Sequence, residues 1–341
     1  MQMAVLPAPS AGASSASTPT AGDSAAGESN ARVPTSEVNA QAADTPIEEA
    51  MPTPGGDMGA EAAAGAAGMA GQQAPADTTR PTPSATGSEL PPVTDYTASG
   101  PFSATMEANT GPGGGYAIFR PDILGENGFL HPLIIFGPGI LTSPTSYTTL
   151  LDHLATHGYV TIVVNALSAG PGSAANVEAM QLGLDWLIEQ NGPAGVFQGK
   201  LDVERAVTMG YSLGATASVQ LSSHAAIVTT VSIHGHSTSG DPHGPVLLLT
   251  GTMDVIDDVR QTFSTLEQAP AMLAALPIGH LAVLGELGAS GRYLAPITAW
   301  LRYWVNGDDA AKQAFWGADC GMCASPWIAP ETNALWEAQA L

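Results

Sequence analysis

The chain has 341 residues, enough for one large domain or two small ones. Its 31 acidic residues stand against 9 basic ones, a formal net charge of -22. Such a field repels phosphate backbones and anionic membranes, so nucleic-acid partners and polyanionic substrates are excluded, and neutral substrates fit.

Residues 1–95 are built from Ala, Gly, Ser, Thr, Pro and acidic residues, and the first aromatic side chain is Tyr96. A segment without large apolar side chains cannot offset chain entropy by burial, so a disordered, acidic linker is expected, spanning on the order of 50–60 Å as a coil. The start, "MQMAVLPAPSAG", lacks the basic and apolar regions of a signal peptide as it stands. A tether of this kind still suits a domain held extracellularly or at a cell surface.

From Tyr96 the pattern changes. "YAIF" (116–119) and "LIIF" (133–136) read as strands, and "SYTTLLDHLATHG" (146–158) as a helix closed by Gly158. "YVTIVVNA" (159–166) is a buried strand. Residues 174–192 place Val177, Met180, Leu184 and Leu187 on one helical face. "RAVTMG" (205–210) is a strand followed by a helix over 215–224. Strands at 227–233 and 245–250 and a final helix at 295–307 complete the series. There is no internal repeat and no apolar run of transmembrane length. Alternating strands and helices predict an α/β fold: a mostly parallel central sheet with helices on both faces, over residues 96–341.

The serine of "GYSLG" lies where this sheet gives it meaning. Gly-x-Ser-x-Gly between a strand and a helix forms a nucleophile elbow, with Gly210 and Gly214 leaving room for the turn and Ser212 at a helix N-terminus that favours negative charge. A serine hydroxyl needs a base, and the base an orienting acid, in the chain order Ser, Asp, His. Asp254 follows the strand "PVLLLT" after a short turn; Asp257 and Asp258 are its rivals, better placed to cap the next helix. Of eight histidines only His280 follows Asp254. His234, His236 and His243 precede Asp254, and the other four lie at or before His224. An oxyanion needs two amides, expected from Leu213 and from Ile140 in "FGPGI".

Cys320 and Cys323 are the only cysteines. They lack a redox-motif context and cannot alone fill a zinc site, so a local disulfide is favoured over inert thiols. No metal or other cofactor is implied, and there is no P-loop. Nothing calls for an oligomer, and a monomer is expected.

The segments "LIIFGPGI", "LLDHLATHGYVTIVVNA", "GKLDVERAVTMGYSLGATAS", "PVLLLTGTMDVI", "GHLA" and "APITAWLRYWVNGD" together resemble the polyesterase–lipase–cutinase family of α/β-hydrolases, bacterial cutinases and poly(ethylene terephthalate) hydrolases included. The resemblance covers about two-thirds of the chain. It implies a serine esterase with Ser212, Asp254 and His280 as triad and the Ile140 and Leu213 amides as oxyanion hole. It also implies substrate contacts at Tyr211, before the serine, and at His236, where the family commonly has tryptophan. Ile140, Tyr211 and Leu213 also depart from the family's habits, so the aromatic clamp is largely missing, and the implication extends to esters in general more than to aromatic polyesters. Only 42 positions separate Ser212 from Asp254 and 26 separate Asp254 from His280, too few for a large cap domain. An open site for small or polymeric esters is expected. The alternative is a catalytically silent binding module of the same fold on a surface tether; a peptidase would usually need a further domain.

Overall fold

The computed structural model describes residues 90–237, 239–287 and 291–339. The linker expected over residues 1–95 therefore lies, up to residue 89, outside the described residues. Its last residues are already anchored: the Pro91 carbonyl accepts a 2.9 Å hydrogen bond from buried Arg302.

Nine strands form one sheet: β1 (Ala104–Thr110), β2 (Tyr116–Pro121), β3 (His131–Gly137), β4 (Val160–Val164), β5 (Leu201–Tyr211), β6 (Ile227–Ile233), β7 (Val246–Gly251), β8 (Ala271–Leu276) and β9 (Ile328–Thr332). Their order is β1-β2-β4-β3-β5-β6-β7-β8-β9. From β4 to β8 every neighbouring pair is parallel, while the pairs β1–β2, β2–β4 and β8–β9 are antiparallel. The helices are α1 (Thr148–Thr156), α2 (Ala174–Gln190), α3 (Leu213–Leu221), α4 (Ile256–Thr265), α5 (Val283–Glu286), α6 (Leu294–Trp304) and α7 (Ala334–Ala338).

The central strands are buried on both faces, which is why they read as continuous apolar runs. Successive side chains point to opposite faces. Ile134 and Phe136 join Leu150 and Leu154 of α1 and Ile297 and Trp300 of α6 in one core. Leu133 and Ile135 join Met180, Leu184 and Leu187 of α2 and Ala217 and Leu221 of α3 in the other. This is the mostly parallel, two-sided α/β-hydrolase architecture expected from the sequence. The strands β1, β8 and β9 are additions to that reading. "AMLAAL" of β8 lacks β-branched residues, and β9 carries Pro330 in an edge strand, where a missing N–H is tolerated. Among the described residues no helix is long and apolar enough to cross a membrane.

Candidate active site

The carboxyl ends of β5, β6, β7 and β8 bring the site together. β5 runs to Tyr211 and α3 starts at Leu213, so Ser212 is the whole connection. It holds φ 55° and ψ -114°, a strained geometry for a residue with a Cβ. The turn closes because glycines stand where backbone meets backbone. A Cβ on Gly214 would collide with the carbonyl of Gly137 at the end of β3, and one on Gly210 would collide with Gly214 itself.

The Ser212 amide donates to the Ile233 carbonyl on the adjacent β6 at 3.0 Å, which fixes the elbow to the sheet. Its hydroxyl lies 2.9 Å from His280 Nε2. His280 Nδ1 lies 2.8 Å from Asp254 Oδ2. Asp254 follows β7 through a turn, and His280 opens a short 3-10 turn after β8. The Asp254 side chain is 7% exposed and that of His280 36%. Burial, the largest influence, raises the Asp254 carboxyl, but hydrogen bonds from His280, His234 and the Val255 amide outweigh it and hold the group below its ordinary value. The rivals Asp257 and Asp258 are exposed in the first turn of α4 and take no part; Asp257 faces Arg260 at 3.4 Å.

The loop Gly137–Ile140 passes beside the serine, with a Cβ on Gly139 reaching within 3.4 Å of Ser212 Cβ. Gly139 donates its amide to the Tyr147 hydroxyl at 2.9 Å. Among the described residues no backbone carbonyl accepts from the Ile140 amide. Leu213 is the first residue of α3, where an amide has no carbonyl one turn earlier to bond. Four exposed apolar side chains flank these positions in the chain: Ile140, Leu141, Met253 and Leu281.

Two of the expected substrate contacts fare differently. His236 is exposed and lines a cleft of about 100 Å³ with Ser212, Leu213, Thr216, Val255 and His280. Tyr211 does not face that cleft. It is 2% exposed, packs its ring 5.1 Å from that of His280, and donates its hydroxyl to the His280 carbonyl at 2.9 Å. In β5 the residue before the elbow points into the core face, as its membership of the core with Phe136 and Val231 shows. A larger cavity, about 590 Å³, is lined by Tyr96, Arg292, Pro296, Met322 and Trp327 and holds none of the three residues. Cys320 and Cys323 are joined in a disulfide.

The residue that chain order concealed is His234. It stands directly after β6 with its side chain fully buried, and its Nδ1 lies 2.5 Å from the same Asp254 Oδ2 that His280 uses. Order along the chain excluded it as the base and gave no sign of this contact; the pairing of Ile233 with Leu249 in the sheet creates it. His234, Asp254 and His280 are also the described residues whose ligand atoms lie close enough to hold a metal ion. Both imidazole Nδ1 atoms are engaged with the Asp254 carboxylate in hydrogen bonds.

A family model described as PET hydrolase-like matches residues 73–316. Cutinase 2 of Thermobifida cellulosilytica is 23% identical over 232 residues, covering 63% of this chain and 84% of that protein. Cutinase cut1 of Thermobifida fusca is 23% identical, covering 63% and 69%. Cutinase 1 of Thermobifida cellulosilytica is 25% identical over 234 residues, covering 63% and 84%.

Proposed function

The chain belongs to the PET hydrolase-like family of carboxylic ester hydrolases, and on that premise we propose that it cleaves exposed neutral esters through an acyl-enzyme on Ser212. The observation that carries the reading is the unbroken run of contacts from Ser212 Oγ to His280 Nε2 and from His280 Nδ1 to Asp254 Oδ2.

In the mechanism, His280 Nε2 accepts the Ser212 proton as Oγ attacks the ester carbonyl. Asp254 holds the imidazole in the Nδ1–H tautomer and stabilises the imidazolium that forms. The oxyanion of the tetrahedral intermediate takes hydrogen bonds from the Leu213 and Ile140 amides, aided by the N-terminus of α3. His280 then gives its proton to the leaving alcohol. Water enters, loses a proton to His280, attacks the acyl carbon and releases the acid with Ser212 restored.

The exposed apolar side chains of Ile140, Leu141, Met253 and Leu281, at or next in the chain to site residues, support an uncharged acyl or polymer chain as substrate, and the acidic surface argues against anionic substrates. The cleft of about 100 Å³ and His236 in place of a stacking tryptophan support aliphatic over aromatic polyesters. The catalytic unit is read as residues 96–341 on the linker of residues 1–95. A disulfide between Cys320 and Cys323 supports an oxidising compartment, extracellular or at the cell surface. The silent binding module is not favoured, because nothing in such a role keeps three residues in this geometry.

The test is p-nitrophenyl butyrate hydrolysis by the full chain beside Ser212→Ala. The reading expects turnover in the unsubstituted protein and a fall of roughly 10⁴–10⁶ in kcat for the variant. Equal rates in the two proteins would remove Ser212 as the nucleophile.

A further inference from the structure

We propose that His234 is a positioning residue for the reaction, a second imidazole that holds the same Asp254 carboxylate oxygen as His280. This rests on the ester-hydrolase reading above. The geometry is a line of four hydrogen-bonded groups. The Tyr293 hydroxyl lies 2.9 Å from His234 Nε2, and His234 Nδ1 lies 2.5 Å from Asp254 Oδ2. Asp254 Oδ2 in turn faces His280 Nδ1 at 2.8 Å. A carboxylate oxygen offers two lone pairs, and here each is taken by an imidazole Nδ1.

The backbone is shaped to make this contact. His234 adopts φ 54°, a left-handed conformation that a residue with a branched ring adopts at a cost. Its amide is bound to the Leu249 carbonyl at 2.7 Å, so the strained residue is tied to β7, the strand that delivers Asp254. Ser212 has the same sign of φ and emerges from the neighbouring strand, since Tyr211 pairs with Ile233. Two strained residues thus leave adjacent strands side by side, one to present the nucleophile and one to hold the acid.

The ionisable groups facing the His234 ring are Asp254 and His280 from the loops after β7 and β8, Tyr211 from β5 and Tyr293 at the start of α6. Burial pushes His234 down to about 4, so the ring is neutral in the working pH range. A neutral ring has one N–H. Asp254 can only accept, so that proton is on Nδ1, and Nε2 is left to accept from the Tyr293 hydroxyl, which also reaches the Thr250 carbonyl at 3.3 Å. Asp254 therefore selects the tautomer of His234 as it does that of His280.

The carboxylate is held against rotation away from His280, which keeps the base aligned. Removing His234 should misalign the base.

The test compares His234→Gly with His234→Asn in the full chain. Both residues tolerate a positive φ, so backbone strain does not separate them. Only Asn returns an N–H donor near the place of Nδ1. We expect His234→Gly to lower kcat on p-nitrophenyl butyrate by roughly 10–100-fold with KM little changed, in line with misplacement of a reacting group. His234→Asn should recover kcat to within a few-fold. An unchanged kcat in His234→Gly would overturn the proposal, and so would an Asn variant no better than Gly. If His234→Gly does not fold, ¹⁵N-histidine NMR of the unsubstituted protein decides. A neutral His234 with a strongly downfield Nδ1–H supports the clamp, and an Nε2–H tautomer refutes it. An unsubstituted protein without esterase activity would sink the functional reading alone, since the NMR signature reports the His234 bond independently of turnover.

Discussion

Lowering the pH from 7.5 to 4.5 should destabilise this fold through two histidines that its core keeps neutral. His157 is fully buried at the C-terminal cap of α1. Its Nε2–H donates to the Ala98 carbonyl at 3.1 Å, while Nδ1 has no hydrogen-bond partner among the described residues. The ring of His153 lies 4.6 Å away. A second proton on His157 would sit without an acceptor and close to another titrating ring. Burial, reinforced by His153, pushes His157 down to about 4, and burial brings His234 to about 4 as well. In the unfolded chain a histidine titrates near ~6.5. Because the folded values lie below the unfolded ones, the unfolded state takes up protons first as the pH falls. The contribution is fully present above about 6.5 and is lost between there and about 4. A shift of this size amounts to roughly 2–3 kcal/mol for each group at pH 4.5, or about 5 kcal/mol for the pair, against a net stability of about 5–15 kcal/mol for a typical domain. Urea unfolding followed by tryptophan fluorescence at the two pH values measures it. The internal control is His157→Gln, which keeps an N–H near Nε2 and does not titrate. Its loss of stability on acidification should be smaller than that of the unsubstituted protein by roughly 2–3 kcal/mol. The comparison cancels the relief of surface repulsion as carboxylates protonate. An identical pH dependence in the two chains would refute the assignment of His157 as a buried neutral base.

Two further outcomes are expected. Gly214→Ala drives a methyl group into the Gly137 carbonyl, so α3 must move away from β3 and carry Ser212 with it. The variant should lose at least about 1–3 kcal/mol and most ester hydrolysis, and a thermal melt and rate equal to the unsubstituted protein would show the close approach to be unimportant. Asp202→Asn removes the charge partner of Arg205, a pair that is largely buried, with Arg205 Nε 2.5 Å from Asp202 Oδ2 and Nη1 3.0 Å from the Val305 carbonyl. Leaving the guanidinium without its carboxylate should cost about 3–5 kcal/mol by urea unfolding. A change below about 1 kcal/mol would mean that the Val305 carbonyl and water suffice.

Local pattern was enough for much of this protein. "LIIF", "YVTIVV" and "IVTTVSI" are strands because a strand buried on both faces has no polar side to alternate with. The elbow was legible because glycine is required wherever two backbones touch, and Gly137, Gly210 and Gly214 mark those places whatever else the chain does. The expectation for Ser212, Asp254 and His280 followed from chain order, and in the fold the three side chains stand in hydrogen-bond contact. Other features depend on what lies beside a residue in space. "AMLAAL" became β8 through pairing with β7 and β9, not through its propensity. Tyr211 was placed beneath His280 by the pleat of β5, which turns the residue before the serine inward. His234 and Asp254 are 20 positions apart, with β7 between them, and no spacing rule joins them. Their contact exists because parallel strands end at one edge of the sheet, where residues distant in sequence share a single carboxylate. Sequence determined which residues could do the chemistry, since that is a matter of functional groups and local turns. Tertiary structure decided which of them touch, since neighbours across a parallel sheet are set by strand order.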